Sequence, residues 1–230
     1  CQLKLYSAKR QPFLSKLHKL RRLHWARGLL KWSVAKWKTV LWSDESRFEV
    51  LYGTLGRHVI RTREDKDNPS CYQRSVQKPA SLMVWGCMSA CGMGSLHVWK
   101  GTINAENYVQ VLEQHMLPSR RHLFQGRPCI FQQDNARPHS AAITTSWLRR
   151  RRIRVLRWPL CSPDLSPIEN IWRIIKRKVW QRRPKMIEQL EACIRHEWES
   201  IPISKLEKLV SSVPRPLLSV VRRRGDATQW

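Results

Sequence analysis

Three acidic residues lie at positions where their side chains could take part in a reaction. Asp44 follows the apolar run of "TVLWSDES", Asp134 follows that of "CIFQQDNARPH", and Glu169 opens "IENIWRIIKRKVWQRR". The first two are predicted to end buried strands, and the third to lie in the first turn of a long helix. Carboxylates at adjacent strand ends can converge at one edge of a sheet, which is where open α/β folds place their sites.

Each of these acids also has a purely structural interpretation, and the residues alone leave both open. An aspartate after a strand can form a turn or cap a helix. Ser166, Pro167 and Glu169 match the capping box Ser-x-x-Glu, with proline at the first helical position. Asp164, in the same segment, is interpreted as a turn residue. Capping and metal binding would compete for the two carboxylate oxygens of Glu169.

The chemistry that uses two aspartates and a glutamate in a basic protein is metal-dependent phosphodiester cleavage. The chain has 43 Lys+Arg against 17 Asp+Glu, a formal charge of +26. This charge predicts a polyanionic partner, with nucleic acid before an anionic membrane surface. Mg²⁺ or Mn²⁺ would reconcile the acids with such a substrate, and two ions about 3.5–4 Å apart would serve both the attacking and the leaving oxygen.

Basic residues are dense around two of the acids. The stretch from Arg149 to Arg183 holds twelve Lys and Arg and only two acids. Such a run is often a solvated face, but beside candidate catalytic residues it favours contact with DNA phosphates. The predicted DNA contacts are Arg149, Arg150, Arg151, Arg152, Arg173, Lys176 and Arg177.

The elements predicted around these residues form an α/β domain with one mixed central sheet flanked by helices. Strands are expected in "RFEVLY", "HVIRTR", "CIFQQD" and "IRVLRW", and a hairpin in "SLMVWGCMS" and "SLHVWKG". Asn104 is predicted to cap a helix to about Leu117, and two helices are expected from Pro184 and Pro202. A buried stripe is predicted on the long helix: Ile168, Ile171, Trp172, Ile175 and Val179.

The N-terminal region is basic throughout. Residues 1–40 hold eleven Lys and Arg and no acid, with apolar residues at helical spacing from Leu14 to Leu30. This predicts a basic amphipathic helix, which could pack on the domain or lie along DNA. We divide the chain into a basic linker and helix at 1–37 and a catalytic domain at 38–230.

Three blocks of the sequence together resemble the catalytic domain of Tc/mariner-superfamily transposases: "WSDES", "QDNARPH" and "SPDLSPIENIW". Thirty-four residues separate Asp134 from Glu169, the spacing of the Tc branch. The resemblance runs from about Arg22 to the C-terminus. It implies an RNase H-like fold with a catalytic, metal-binding triad of Asp44, Asp134 and Glu169.

The same resemblance implies the reaction and its partners. Cut-and-paste transposition would nick the element's ends with water, and the freed 3′-OH would attack target DNA at TA. The partners implied are double-stranded DNA and a second copy of the chain, with no membrane, and a clamping loop between about Gly53 and Pro79. The seven scattered cysteines fit reduced thiols, and we expect the protein in the nucleus.

Two further residues fall within the "QDNARPH" block. Asn135 and His139 are predicted to support the triad rather than bind metal, since Mg²⁺ prefers oxygen ligands. The sequence departs from the family where "QKPAS" replaces a run of glycines, and helix-turn-helix modules are absent from this chain. A decayed or domesticated copy that only binds DNA, and a different RNase H-like nuclease, are the alternatives.

Overall fold

The strands form one mixed sheet, as the sequence predicts. The computed structural model describes residues 13–50, 62–64, 79–99, 101 and 103–228. Within them the sheet has five strands in the order β3-β2-β1-β4-β5. β1 pairs antiparallel with β2, and β2 with β3, whereas β1–β4 and β4–β5 are parallel. The strands are β1 Val40–Glu49, β2 Ser81–Ser89, β3 Gly92–Trp99, β4 Ile130–Gln132 and β5 Val155–Leu156.

Helices cover both faces of this sheet. Two hydrophobic cores result, and neighbouring residues of a strand alternate between them: Trp42 lies in one core and Leu41 in the other. The helices are α1 Lys16–Leu29, α2 Val34–Trp37, α3 Ala105–Val111, α4 Leu117–Phe124, α5 Arg137–Ser140, α6 Ala142–Arg150, α7 Pro167–Arg182, α8 Ile187–Glu199, α9 Ile203–Ser211 and α10 Pro214–Arg222. Helices α3, α4 and α6 cover one face, and α7 to α10 the other.

Strand β1 is longer than predicted. The expectation that it ends at Asp44 is wrong, because β1 continues to Glu49 alongside β2 and pairs Asp44 with Gly86. Only the parallel pairing with β4 stops early, after Trp42. The "RFE" of the next predicted strand is therefore the second half of β1. The predicted strand "HVIRTR" and the predicted clamping loop fall largely outside the described residues.

The helix predictions hold with altered bounds. Asn104 caps α3, its Oδ1 accepting a hydrogen bond from the backbone N–H of Asn107 at 2.8 Å. A π-helical turn, Leu112–Met116, then joins α3 to α4, so the helical segment extends to Phe124, beyond the predicted end. Helix α10 was not predicted. No helix in the described ranges is both long and apolar enough to cross a bilayer.

Helix α1 packs on the domain. Its buried residues are Arg22 and Ala26, and its main neighbour is α10. Arg21 and Arg27 remain exposed. The packed alternative is therefore correct for one face of α1. The division of the chain at residue 37 remains a prediction.

Helix α7 buries the predicted stripe and packs closely on the sheet where β2 has a glycine. Trp172 on α7 stacks on Trp198 of α8 with ring centroids 4.9 Å apart. Both rings lie over Gly86 of β2, where an added Cβ would stand 2.4 Å from Trp198 and 2.9 Å from Trp172. Because Gly86 pairs with Asp44, its missing side chain lets α7 lie close to that carboxylate.

Gly86→Ala should therefore destabilise the fold by overpacking, by about 1–3 kcal/mol. At roughly 2–4 °C per kcal/mol for a domain of this size, the melting temperature should fall measurably. Gly28→Ala is the control, since nothing lies within 4 Å of the position that its new methyl group would take and alanine favours a helix. A Gly86→Ala protein as stable as the wild type would contradict the proposed close approach of α7.

Candidate active site

The register of the parallel strands brings Asp44 and Asp134 together. The last pair of the ladder between β1 and β4 joins Trp42 to Gln132, and each aspartate stands two residues beyond this pair. The hydroxyl of Ser43 donates to the carbonyl of Gln132 at 2.8 Å, which ties the two segments where the ladder ends. Asp44 has the same strand parity as Trp42, so its carboxylate faces the side of the sheet that α7 covers.

Helix α7 supplies the third acid from its first turn. Ser166 is the N-cap with extended backbone, Pro167 the first helical residue, and Glu169 follows in the first turn. Asp44, Asp134 and Glu169 line one open cleft of about 390 Å³, closed on another side by Trp158 and the loop that follows it. The structure thus brings together the three acids that the sequence singled out.

The capping box that competed for Glu169 is not formed. The hydroxyl of Ser166 is buried and has no hydrogen-bond partner, and the helix start is held instead by the backbone N–H of Glu169 donating to Ser166 O at 3.2 Å. The carboxylate of Glu169 is therefore not used in capping.

Burial and mutual repulsion disfavour ionisation of all three acids when no cation is bound. Burial, and then repulsion from Glu169 and Glu45, raise the pKa of Asp44 well above its usual range. Burial also raises the pKa of Glu169, against the attraction of Lys176, a hydrogen bond with Asp44 and the attraction of Arg173. Asp44 Oδ2 is buried without a hydrogen-bond partner. An unpaired buried carboxylate oxygen is costly unless it meets a cation.

Asp134 differs because a histidine holds it. Its carboxylate is half-exposed, and Oδ1 lies 2.6 Å from His139 Nδ1 and accepts from the backbone N–H of Ala136 at 2.9 Å. Burial alone would raise the pKa of Asp134, but these hydrogen bonds lower it overall. Asp134 is thus kept ionised and fixed in direction.

His139 also contacts a fourth acid. Its Nε2 lies 3.2 Å from Glu45 Oε1, and its ring packs against Tyr108 with centroids 4.0 Å apart. Burial would lower the pKa of His139, but the bonds to Asp134 and Glu45 raise it to about 9. Both ring nitrogens face carboxylates, so the histidine links Asp134 to Glu45 through one contact at each nitrogen.

Three further residues of the site were not predicted from the sequence: Glu45, Tyr108 and Gln133. The hydroxyl of Tyr108 donates to Gln133 Oε1 at 2.8 Å, behind the histidine. Strand alternation gives the available signal for Glu45: as the neighbour of Asp44 on β1, it must face the opposite side of the sheet. Asn135, which was predicted to support the triad, donates from Nδ2 to Trp158 O at 2.9 Å and so fixes the cleft wall.

Asp164 does lie in a turn, the 3₁₀ turn Pro163–Leu165. Its carboxylate also accepts hydrogen bonds from both terminal nitrogens of the Arg22 guanidinium, at 2.8 and 2.7 Å. Arg22 is fully buried. The ion pair was not predicted, because arginines of a basic helix were expected to face solvent or DNA.

The predicted DNA contacts divide into two groups. Arg173 and Lys176 on α7 lie near enough to Glu169 to lower its pKa, and Arg177 is exposed on the same helix. Because β4 and β5 are parallel, the connection through the nine residues of α6 must return from the carboxyl end of β4, where Asp134 lies, to the start of β5; nine helical residues span roughly 13 Å at 1.5 Å per residue. The run Arg149–Arg152 thus lies at the opposite edge of the sheet from the carboxylates.

The basic run at the end of α6 is not uniformly free. Arg151 forms an ion pair with Glu113 and lies 5.7 Å from the ring centroid of Trp147. Arg149, Arg150 and Arg152 are exposed. The structure therefore places Arg173 and Lys176 near Glu169, whereas none of Arg149–Arg152 lines the cleft.

The donor set of the cleft fits a hard divalent cation. Its acids offer only oxygens, one of them buried and unpaired on Asp44, which suits Mg²⁺ or Mn²⁺. Among the described residues, no three His, Cys, Asp or Glu side chains lie close enough together to hold a metal ion by themselves. Mg²⁺ does not require such a group, because it is commonly held by one or two carboxylates with water and substrate phosphate.

The fold is that of a DDE transposase. Residues 39–191, more than half of the chain, match the family described as DDE superfamily endonuclease, and the chain belongs to this family. It is a transposase of the Tc1/mariner type: it is 36% identical to the Tcb1 transposase of Caenorhabditis briggsae over 224 residues, 96% of this chain and 81% of that protein. The Tc1 transposase of Caenorhabditis elegans is 33% identical over 223 residues, with the same coverage of 96% and 81%.

Solved structures confirm the predicted RNase H-like fold. The Mos1 transposase paired-end complex with left transposon end aligns with a TM-score of 0.84 at 16% identity, covering 98% of this chain and 68% of that one. The Mos1 transposase catalytic domain, solved with Raltegravir and Mg, gives a TM-score of 0.72 at 18% identity over 95% of this chain and all (100%) of that one. A corresponding Mos1 structure contains Mn.

Asp44→Asn should stabilise the metal-free protein. A carboxyl group with a raised pKa binds its proton more strongly in the folded chain. Its contribution to stability therefore falls as the pH rises from the ordinary aspartate range to the raised pKa, and stays unfavourable above it. Asparagine removes this cost, so melting at neutral pH should occur a few degrees higher, at roughly 2–4 °C per kcal/mol.

Added Mg²⁺ should raise the melting temperature of the wild type and not that of Asp44→Asn, since a ligand stabilises only the form that binds it. Glu49→Gln is the control: Glu49 is exposed on the same strand and pairs with Arg47 at 3.2 Å. Thermal melts in EDTA and in Mg²⁺ make the comparison. A lower melting temperature for Asp44→Asn in EDTA would show that the carboxylate is not under repulsion.

Proposed function

We propose that the chain catalyses metal-dependent DNA strand cleavage followed by transfer of the 3′ end, the two steps of cut-and-paste transposition. The observation that carries the proposal is the buried, unpaired oxygen of Asp44 in a cleft that Asp134 and Glu169 also line. Three acids held against one another in a chain of charge +26 are a stability cost that a purely structural DNA-binding protein does not need.

Asp44, Asp134 and Glu169 would hold Mg²⁺ or Mn²⁺, and we propose two ions. Bound there, the metal would supply activation of the attacking oxygen and stabilisation of the leaving one. Asp44, which is repelled by both of the other acids, would be one ligand, while His139 fixes the direction of Asp134. Asn135 holds Trp158 and thereby the wall of the cleft. The Mos1 structures with Mg and with Mn support this choice of metal.

The substrate we propose is duplex DNA: transposon ends for cleavage and TA sites as the target. Arg173, Lys176 and Arg177 would guide a phosphate backbone past Glu169, whereas Arg149–Arg152 would contact a separate stretch of DNA at the far edge of the sheet. The Mos1 paired-end complexes support DNA as the partner. We further propose a homodimer on paired ends, acting in the nucleus.

Glu169→Gln separates the catalytic role from capping. Glutamine also fills a capping box, so a residue that only caps would tolerate the change. We expect strand cleavage to fall by roughly 10³-fold, as for loss of a principal electrostatic group, with a melting temperature no lower than that of the wild type, because the pKa of Glu169 is raised in the folded chain. The assay is cleavage and strand transfer of duplex element ends by the full-length protein in Mg²⁺.

Ser166→Ala is the matched control for that experiment. Because the Ser166 hydroxyl has no partner, its removal should leave both stability and cleavage near wild-type levels. Cleavage by Glu169→Gln at near the wild-type rate would refute the triad. A wild-type protein that binds DNA but neither cleaves nor joins it would identify a decayed copy.

The two basic groups should differ in their effect on catalysis. Arg173→Gln/Lys176→Gln and Arg149→Gln/Arg150→Gln should each flatten the log–log salt dependence of DNA binding by about one unit per lost phosphate contact. Only the α7 pair should also slow cleavage at saturating DNA.

Arg195→Gln serves as a control for loss of positive charge, since Arg195 lies on α8 and pairs with Glu191 at 2.6 Å. Binding measured by fluorescence anisotropy across a salt series decides the matter. If a pair of substitutions left the slope of the salt dependence unchanged, the residues of that pair would not contact DNA.

A further inference from the structure

Arg22 is a buried cation outside the cleft whose donors are engaged by separate segments of the chain. Besides the two bonds to Asp164, its Nε donates to Gly225 O at 3.0 Å, and Nη1 donates to Ser162 Oγ at 2.7 Å. Weaker contacts reach Cys161 O at 3.2 Å and Asp226 O at 3.4 Å. A fully buried guanidinium is tolerated only when it is paired and hydrogen-bonded in this way.

The C-terminal segment closes over α1 at the same point. Gly225 has a φ of +92°, and a Cβ there would lie only 1.9 Å from Lys19 O. The backbone N–H of Thr228 donates to Asp164 Oδ2 at 2.8 Å, so Asp164 binds the C-terminal segment as well as Arg22. A peripheral ion pair joins Lys19 to Asp226 at 2.8 Å, with side chains that are 37% and 41% exposed.

The loop that Arg22 holds forms a wall of the acidic cleft. Cys161, Ser162, Pro163 and Ser166 line the cleft together with Glu169. Ser162 is bound directly by Arg22 and its hydroxyl also donates to Leu160 O at 2.9 Å. The same loop leads without a break into α7.

Few local hydrogen bonds hold the loop that leads into α7, although Ile168 in the first turn is buried. The 3₁₀ turn carries only the backbone bonds Leu165 N–H to Ser162 O at 3.2 Å and Ser166 N–H to Pro163 O at 3.0 Å. Ser166 makes no side-chain cap, and Cys161 has a φ of +53°, which non-glycine residues rarely adopt. The direction of the first turn of α7 therefore depends on contacts from outside the loop.

We propose that Arg22 is a positioning residue for Glu169: through Asp164 and Ser162 it fixes the loop 161–166 and hence the first turn of α7. The N-terminal helix is then part of the catalytic unit. This inference rests on the proposed function in taking Glu169 as a metal ligand. Arg22 touches neither substrate nor metal, and acts only through the loop.

The first test measures the loop itself, by hydrogen exchange of the full-length protein with mass spectrometry. Arg22→Met should raise exchange in peptides spanning 160–170 by roughly tenfold or more, while peptides from β1 and β2 stay protected. Arg22→Lys keeps the charge but loses the planar fork and should give a smaller rise. It also serves if Arg22→Met does not fold.

Two matched controls exist on the same helix. Arg21→Met makes the same chemical change at an exposed neighbour, and Lys19→Met breaks the peripheral pair with Asp226. Both should leave exchange in 160–170 at the wild-type level. If Arg22→Met lowers the melting temperature but leaves 160–170 as protected as in the wild type, Arg22 only attaches α1 and the inference is wrong.

The second test follows the consequence for Glu169. With a misdirected ligand, Arg22→Lys should need several-fold more Mg²⁺ for half-maximal cleavage and should recover in Mn²⁺, at equal DNA affinity. An unchanged metal requirement beside increased exchange would overturn positioning of Glu169. Failure of the proposed function is a separate result, since an inactive wild type would leave the exchange experiment fully interpretable.

Discussion

The arrangement of the site depends on one constraint, the parallel pairing of β1 with β4. This ladder is only three residue pairs long and ends at Trp42 and Gln132. Its register alone decides that Asp44 and Asp134 stand side by side, because a shift by one residue would turn either carboxylate to the other face of the sheet. The core residues on both sides of the sheet hold this register, and Ser43 fastens it at its end.

The other parts of the site adapt to that fixed pair. Gly86 leaves room for α7 to approach, and α7 brings Glu169 to the same cleft. His139 lies between Asp134 and Glu45 and offsets part of the repulsion between these two carboxylates. The domain thus concentrates negative charge in one cleft of a strongly positive chain, at a cost to its own stability that bound cations would remove.

Much of this could be predicted from local patterns. Asp44 and Asp134 follow apolar runs, and the stripe Ile168–Val179, beside Glu169, has helical periodicity. The strands, the helix and the three acids could therefore each be located from residues that are close in sequence. The extent of β1 could not, because its second half is set by antiparallel pairing with a strand whose first residue lies at Ser81. The bridge from Glu45 to His139 and the pair of Arg22 with Asp164 join residues 94 and 142 positions apart. The direction of α6, which carries Arg149–Arg152 away from the cleft, likewise follows only from the order of strands.

The bond between Arg22 and Gly225 also sets an order of events during synthesis. These residues are 203 positions apart, so a growing chain cannot complete the Arg22 contacts until Gly225 has left the ribosome. At about 5–20 residues per second, β1, β4 and α7 are made seconds earlier. The sheet and its two aspartates can assemble in that interval while the wall of the cleft lacks its final support. The cleft would therefore gain its final support only after Gly225 has emerged, later than the sheet that carries the two aspartates.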